Sequence, residues 1–375
     1  MHKLSCKKNS QRTWLLSVYF RQITLLFICI LAKISECICP RGETDITPVF
    51  GTGIGGSNPP EGTEDLNITQ YNRRLNVITL SNGHQFEYMA ASGALAYFGR
   101  GWWWEKPLVW LGLLDPSLFT VVTKTLTYRP RRGNLRWYKP WSCVRPIRGG
   151  MVNAVGLTNP GYKWWCRERV DQLMRQACDT SKPAIPLVIS LMSESGIKEV
   201  KVMARQLRRF PIRLRVVGVE LNASCPNTQS AALADPALVV DQCHAVKDEY
   251  PGPLILKLSV MHDVAKIVPK LDGVVEALSI NSVPWRLVYP NRPSPLHRHG
   301  GGGVSGQAAQ PYTWQLVRRL ADLTDIPVIG PSVWEFNDIA RLRKLKAAAI
   351  SFGSVFLRYP WRPTLFVRQD RPLAP

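Results

Sequence analysis

The feature that most constrains the fold of this chain is a series of eight short β-rich segments that alternate with amphipathic helical segments. Parallel strands need crossover helices of this kind, and eight such units close a sheet into a barrel. The helical segments, for example residues 231–247 and 311–323, repeat apolar residues at i, i+3 and i+4. The sequence therefore predicts an α/β protein with a (β/α)8 TIM barrel, whose strands lie within residues 86–92, 119–125, 185–190, 216–222, 254–258, 274–281, 326–330 and 348–353.

Length and composition fit this prediction. A barrel commonly takes about 250 residues, so a chain of 375 residues has room for one barrel and an extension. Its 45% hydrophobic and 20% charged residues exclude a disordered chain and a multi-spanning membrane protein. The formal net charge of +21 is spread along the chain without the aromatic interleaving of an RNA-binding module. We therefore interpret it as a solvated cationic surface and do not expect a nucleic-acid partner.

The nine cysteines indicate a reducing compartment. They include no CxxC pair, so they match neither a disulfide framework nor a zinc or iron–sulfur pattern. We therefore expect a cytoplasmic protein without a metal site.

Residues 1–75 have the character of an N-terminal extension that adds nothing to a barrel core. The apolar stretch at 15–32 is interrupted by Arg21 and Gln22, and the uninterrupted run at 23–32 is well short of the roughly 20 residues that span a bilayer. Association with a membrane surface through this stretch is the alternative. Residues 40–72 are rich in Gly, Pro, Asn and Thr, which is typical of a linker or disorder. The predicted barrel therefore occupies residues 76–375.

Polar residues stand at the carboxyl ends of most predicted strands, at the rim where barrel enzymes build their active sites. One such residue is usually only a turn or helix cap, but seven together indicate a site: Ser92, Lys124, Ser190, Asn222, Lys257, Asn281 and Ser354. Lys124 and Lys257 end predicted strands in apolar surroundings and need an anion or an electron-rich ring as partner. A flavin supplies both, and its phosphate suits the glycine-rich turns at 300–306, Gly330 and Gly353.

These residues resemble a known family. Residues 219–227, which read VELNASCPN, are similar to the ELNxSCPN segment of dihydroorotate dehydrogenases. The similarity continues in the family's order at residues 89–93, 123–125, 132–134, 153–161, 280–282, 302–306 and 351–354. The resemblance implies an FMN-dependent oxidoreductase that converts dihydroorotate to orotate in de novo pyrimidine (UMP) biosynthesis.

The resemblance also implies a set of binding residues. FMN would contact Ser92, Lys124, Thr125, Ser190, Asn222, Lys257, Ile280, Gly306, Gly353 and Ser354. The dihydropyrimidine would be held by Lys124, Asn153, Ala154, Val155, Gly156, Leu157, Asn222, Asn227, Asn281 and Ser282. Asparagine side chains suit this ligand because an orotate ring alternates N–H donors with C=O acceptors.

The catalytic residues implied by the resemblance are Cys225 and Lys124. Cys225 would remove the C5 proton while the hydride at C6 passes to the flavin, and Lys124 would bind the substrate carboxylate. Most cysteines are only small buried hydrophobes. Cys225, however, stands between Ser224 and Pro226, just after a predicted strand, on a loop that could close over substrate. The quinone-using members of the family carry serine at this position, so cysteine indicates the soluble class. That class passes electrons to fumarate, or to NAD through a separate electron-transfer subunit, and a homodimer or hetero-oligomer is implied.

Two features depart from the family. Pro331, Ser332 and Val333 follow the seventh strand where the family has a double glycine, so Ser332 is expected to replace a backbone phosphate donor with its hydroxyl, and weaker FMN binding stays open. The cluster formed by Trp102, Trp103 and Trp104 has no counterpart in the family, and we interpret it as packing between rim helices.

Other functions stay open. A tRNA dihydrouridine synthase is another FMN barrel with an Asn-x-x-Cys-Pro loop, and the charge of +21 would suit RNA. Those enzymes resemble one another in a helical RNA-binding domain after the barrel, for which the residues after the last predicted strand leave little room. Another dihydropyrimidine oxidoreductase is a related alternative. A barrel that keeps the fold but has lost its flavin is a further alternative, and only the altered turn at residues 331–333 supports it.

Overall fold

The computed structural model describes residues 77–136, 138–168, 185–193, 196–208, 216–223 and 235–371. The predicted N-terminal extension, Cys225 and Asn227 lie outside these ranges. Within them the strands are β1 (Ile78–Thr79), β2 (Gln85–Phe86), β3 (Tyr88–Ala90), β4 (Thr120–Val122), β5 (Leu126–Thr127), β6 (Val144–Ile147), β7 (Gly150–Asn153), β8 (Leu187–Met192), β9 (Val216–Asn222), β10 (Leu254–Leu258), β11 (Ala277–Ile280), β12 (Val283–Pro284), β13 (Gly303–Gly306), β14 (Ile329–Gly330) and β15 (Ala349–Phe352).

Eight of these strands form the parallel sheet of the barrel. Neighbouring strands pair in the order β11-β10-β9-β8-β4-β3-β15-β14. The sheet closes between its two ends, where Leu278 and Val328 form a parallel bridge and the Leu278 N–H donates to the Pro327 carbonyl at 2.9 Å. The prediction of a TIM barrel is confirmed.

The α-helices with both ends in the described ranges are α1 (Lys106–Trp110), α2 (Ile197–Leu207), α3 (Pro236–Glu249), α4 (Val264–Ile267), α5 (Trp285–Val288), α6 (Gln310–Leu323), α7 (Asp338–Lys344), α8 (Ser354–Arg358) and α9 (Arg362–Asp370). The start of α3 shows why the chain becomes helical there. Asp235 accepts a hydrogen bond from the Ala237 N–H at 2.9 Å, and Pro236 occupies a first-turn position that needs no donor. The helical segments predicted at 231–247 and 311–323 correspond to α3 and α6.

The barrel interior is apolar at its amino-terminal end. Side chains of the hairpin β1–β2, such as Ile78 and Phe86, pack in one buried cluster with Met89, Val188 and Ile255 of the barrel strands. The hairpin therefore fills the bottom of the barrel. Residues two apart on a strand face the same side, so Lys257, two residues after Ile255, faces the interior at the opposite, carboxyl end.

A second sheet, which the sequence did not predict, supplies part of that end. Its four antiparallel strands pair in the order β12-β13-β7-β6, and Asn153 on β7 pairs with Gly303 on β13. None of the helices in the described part of the chain has the length and apolar character needed to span a bilayer.

Candidate active site

A cavity of about 500 Å³ lies at the carboxyl end of the barrel. It brings together sixteen residues that the sequence predicted for cofactor or substrate: Ser92, Lys124, Thr125, Asn153, Val155, Gly156, Leu157, Asn222, Lys257, Ile280, Asn281, Ser282, Gly306, Ser332, Gly353 and Ser354. Two predicted residues of the described ranges do not line it. Ser190 is buried behind Thr125, and Ala154 packs in an apolar cluster with Val152 and Val304.

A chain of hydrogen-bonded side chains forms the floor of the cavity. The Thr125 hydroxyl lies 2.9 Å from the hydroxyls of both Ser92 and Ser190, and it accepts from Asn222 Nδ2 at 3.0 Å. Ser190 donates in turn to Glu220 at 2.8 Å. These groups are buried or half-buried, so their positions are fixed by hydrogen bonds to one another.

The two lysines reach the cavity by different local structures. Lys257 is a residue of β10, is only 7% exposed, and its Nζ lies 3.6 Å from Glu220 Oε1. Lys124 stands where the second barrel strand is interrupted, between β4 and β5, and its N–H donates to the Ala96 carbonyl at 2.9 Å. This interruption removes Lys124 from the regular ladder, which explains why the strand is shorter than the predicted residues 119–125.

The loop that follows β7 is held by an adjacent turn. Asn134 donates from its side chain to the Ala154 carbonyl at 2.8 Å and from its backbone to the Val155 carbonyl at 2.9 Å. A Cβ atom at Gly133 would lie 2.2 Å from the Thr158 hydroxyl, so only glycine fits there. The backbone turn therefore fixes the position of Asn153 to Leu157 at the cavity.

The turn at Ser332 is built in an unusual way. Ser332 has a φ of +66°, a region that normally favours glycine. Gln310 donates to its carbonyl at 3.0 Å, and the Ser332 hydroxyl lies 3.1 Å from that of Thr313. The buried Asp338 carboxylate accepts from Gln310 and from the Trp334 N–H, which ties the turn to α6 and α7.

Aromatic residues that the sequence assigned to packing also line the cavity. Trp102 and Trp104 stack with ring centroids 5.1 Å apart and an angle of 2° between their planes. Trp102 donates from its indole N–H to the Gly93 carbonyl at 3.0 Å, and Trp141 contributes to the same lining. The interpretation of the tryptophan cluster as packing between rim helices is therefore incomplete: Trp102 and Trp104 pack on each other and also line the cavity, where the turn at Gly93 holds Trp102. Nothing in the sequence distinguishes the two roles.

Glu220 is the other residue that the sequence analysis missed. It is part of the VELN segment, and its burial between polar side chains on neighbouring strands is visible only once the register of the barrel is known. Metal-binding groups of three or more His, Cys, Asp or Glu side chains were not found among the described residues.

Comparison with known proteins supports the same interpretation. Residues 110–332 match the family described as Dihydroorotate dehydrogenase. The chain is 29% identical over 248 residues to a putative dihydroorotate dehydrogenase A (fumarate) of Pediococcus pentosaceus, which covers 64% of this chain and 76% of the relative. It is 30% identical over 241 residues to the catalytic subunit of dihydroorotate dehydrogenase B (NAD(+)) of Geotalea uraniireducens, which covers 62% of this chain and 74% of the relative.

Among solved structures, the fold is similar to that of DHODH from Eimeria tenella in complex with ferulenol, with a TM-score of 0.58 at 14% identity. The similarity covers 83% of this chain and 89% of that one. This likeness concerns the fold, while the family match spans more than half of the sequence. Barrel, cavity and sequence agree, and the chain belongs to the dihydroorotate dehydrogenase family.

Proposed function

We propose that this chain oxidises dihydroorotate to orotate with bound FMN, as a step of pyrimidine biosynthesis. The observation that carries the proposal is the convergence of two lysines and three asparagines, Asn153, Asn222 and Asn281, on one cavity at the carboxyl end of the barrel. This combination provides positive charge for an anionic ligand and amide groups for a ring with alternating donors and acceptors.

The residues present fit FMN. The lining has an apolar part that includes Ala91, Met151 and Ile280, which suits the face of a flat ring, and Lys124 and Lys257 lie on the same cavity. Ser332, Gly353 and Ser354 would hold the phosphate, with the hydroxyl of Ser332 in place of a glycine N–H. When bound, FMN supplies the acceptor for the hydride that leaves C6 of the substrate.

The substrate would be held by the loop after β7 and by the asparagines. Asn134 fixes the backbone of that loop, so Asn153 and the following residues present fixed groups to the ring. Lys124 would bind the substrate carboxylate as a charge-assisted partner.

Cys225 would hold and remove the C5 proton. It lies outside the described residues, and the assignment depends on its place in the ELNASCPN motif. The thiolate is the active form, so the fraction of ionised Cys225 would set the pH dependence of proton removal.

We further propose a cytoplasmic protein that acts as a homodimer or hetero-oligomer. Its relatives include both a fumarate-named and an NAD-named dihydroorotate dehydrogenase, so either acceptor is consistent with the family, the second through a separate electron-transfer subunit. The barrel domain would comprise residues 76–375.

The proposal is tested by absorbance spectroscopy of the purified protein. We expect a yellow protein whose flavin absorbance is bleached by dihydroorotate without oxygen, and Lys257→Ala should retain much less FMN. Colourless protein that FMN does not reconstitute would contradict the cofactor assignment. Reoxidation of the reduced protein by unmodified tRNA, and not by orotate, would favour a tRNA dihydrouridine synthase instead.

A further inference from the structure

A buried carboxylate lies behind the cavity and has no role in the mechanism proposed above. Glu220 is on β9, is only 1% exposed and does not line the cavity. Asn222, two residues further along the strand, does line it. Since side chains two apart on a strand face the same side, Glu220 lies one layer deeper in the barrel interior than Asn222.

Both carboxylate oxygens of Glu220 have partners on other strands of the barrel. Ser190 on β8 donates to Oε1 at 2.8 Å, and Ser279 on β11 donates to Oε2 at 3.1 Å. Lys257 Nζ on β10 lies 3.6 Å from Oε1. Two hydroxyls therefore orient the carboxylate, and its negative charge lies beside the ammonium group of Lys257.

This pairing gives Lys257 a buried counter-charge. An isolated ammonium group in a buried site is costly and tends to give up its proton, whereas a buried carboxylate nearby favours the charged form. Lys124, which lines the same cavity, adds a repulsive charge and increases the need for the carboxylate. Glu220 itself does not line the cavity, so its charge acts on a ligand through Lys257.

We propose that Glu220 is a positioning residue that supplies the counter-charge of Lys257 and directs its ammonium group into the cavity, where that group holds the electron-rich ring of FMN. This inference rests on the proposed FMN site. Glu220, the glutamate of the VELN segment, thereby contributes to cofactor binding although it is buried and does not line the cavity.

The test measures the affinity of the apoprotein for FMN by flavin fluorescence, at about pH 7 and at about pH 9.5. An unpaired buried lysine loses its proton between these two pH values. Wild-type protein should bind FMN similarly at both pH values. Glu220→Gln has nearly the same size but no charge, so it should lose affinity on the order of tenfold between the lower and the higher pH. At the higher pH, the FMN affinity of Glu220→Gln should equal that of Lys257→Met, which should be weak at both pH values.

Two further variants separate charge from packing. Glu220→Asp keeps the charge but leaves a gap, whereas Glu220→Gln fills the site without a charge. We expect the aspartate variant to bind FMN better than the glutamine variant at high pH, and the reverse order would show a packing role. Glu87→Gln removes another buried carboxylate, paired with Arg343 away from the cavity, and should leave FMN affinity unchanged.

A double variant completes the test. In a Lys257→Met background, Glu220→Gln should cause no further loss of FMN affinity, because the group through which it acts has been removed. Additive losses, or a Glu220→Gln variant with the same affinity at both pH values, would overturn the inference while leaving the proposed function intact. Failure of the wild-type apoprotein to bind FMN would overturn both.

Discussion

Glu105 makes the stability of this protein dependent on pH. Its side chain is completely buried beneath the tryptophan cluster, where Oε2 accepts from the Trp102 N–H at 2.7 Å and Oε1 has no hydrogen-bond partner among the described residues. Burial raises the pKa of Glu105 from 4.5 to about 7, against the opposing effect of the Trp102 N–H. The folded state therefore binds this proton more tightly than the unfolded state.

The sign and size of the effect follow by linkage. Because the folded pKa is the higher one, the penalty is absent below about pH 4.5, grows as pH rises and is complete above about pH 7. A shift of this size amounts to about 1 kcal/mol at pH 5 and about 3 kcal/mol at pH 8. Glu105→Gln removes the charge and hence this pH-dependent part of the unfolding free energy. We expect the unfolding free energy of the variant, relative to that of wild type, to be about 2 to 3 kcal/mol higher at pH 8 than at pH 5.

Urea denaturation at pH 5 and pH 8 measures this difference, and linear extrapolation gives the unfolding free energy of each protein. Glu105→Met is the matched control, because any neutral side chain should show the same pH-dependent gain even though its packing adds a constant offset. If the difference between wild type and Glu105→Gln is the same at both pH values, the carboxylate is not the group that titrates, and the reasoning fails.

Three other outcomes are expected. Cys225→Ala should retain FMN and bind orotate but reduce its flavin with dihydroorotate about 10²- to 10⁴-fold more slowly in stopped-flow absorbance, and an unchanged rate would remove Cys225 as the base. Gly306→Ala should lower the thermal midpoint and weaken FMN binding, because φ is +90° and the new Cβ would lie 2.8 Å from the Trp334 ring; a midpoint equal to wild type would contradict the packing argument. Glu87→Gln should lower the unfolding free energy in urea by about 1 to 3 kcal/mol, since it removes the buried anion beside Arg343 and Arg371 while Asp370 still pairs with Arg343, and a loss below about 0.5 kcal/mol would show that the cluster contributes little.

The sequence predicted the barrel and most of the polar residues that line the cavity, because both depend on local patterns. Strand β9 was predicted with its observed bounds, Val216–Asn222, since its apolar residues and the asparagine at its end are visible in sequence. Strand β14 was predicted too long, at 326–330 instead of Ile329–Gly330, because Pro327 has no N–H for a ladder.

Features that depend on contacts between distant segments were not predicted. The four-stranded rim sheet pairs β7 with β13 across 150 residues of sequence, and no local pattern records such a pairing. The role of Glu220 likewise depends on Ser190 and Ser279, which lie on two other strands. Trp102 and Trp104 show the same limit, because an aromatic cluster has the same sequence pattern in a core and at a cavity.

The closure of the barrel between β11 and β14 has a consequence for local unfolding. The other neighbouring barrel strands share at least two paired residues, whereas this junction has one bridge, Leu278 to Val328. Amide hydrogens there should exchange fastest among the barrel strands, because the free energy of opening scales with the contacts that must break. Ile280 and Ser332, which follow the two edges of the junction, line the same cavity. A ligand in contact with both residues would therefore raise the free energy of opening at this junction. Without ligand, the barrel opens locally between β11 and β14, whereas with ligand bound this junction opens only together with the rest of the barrel.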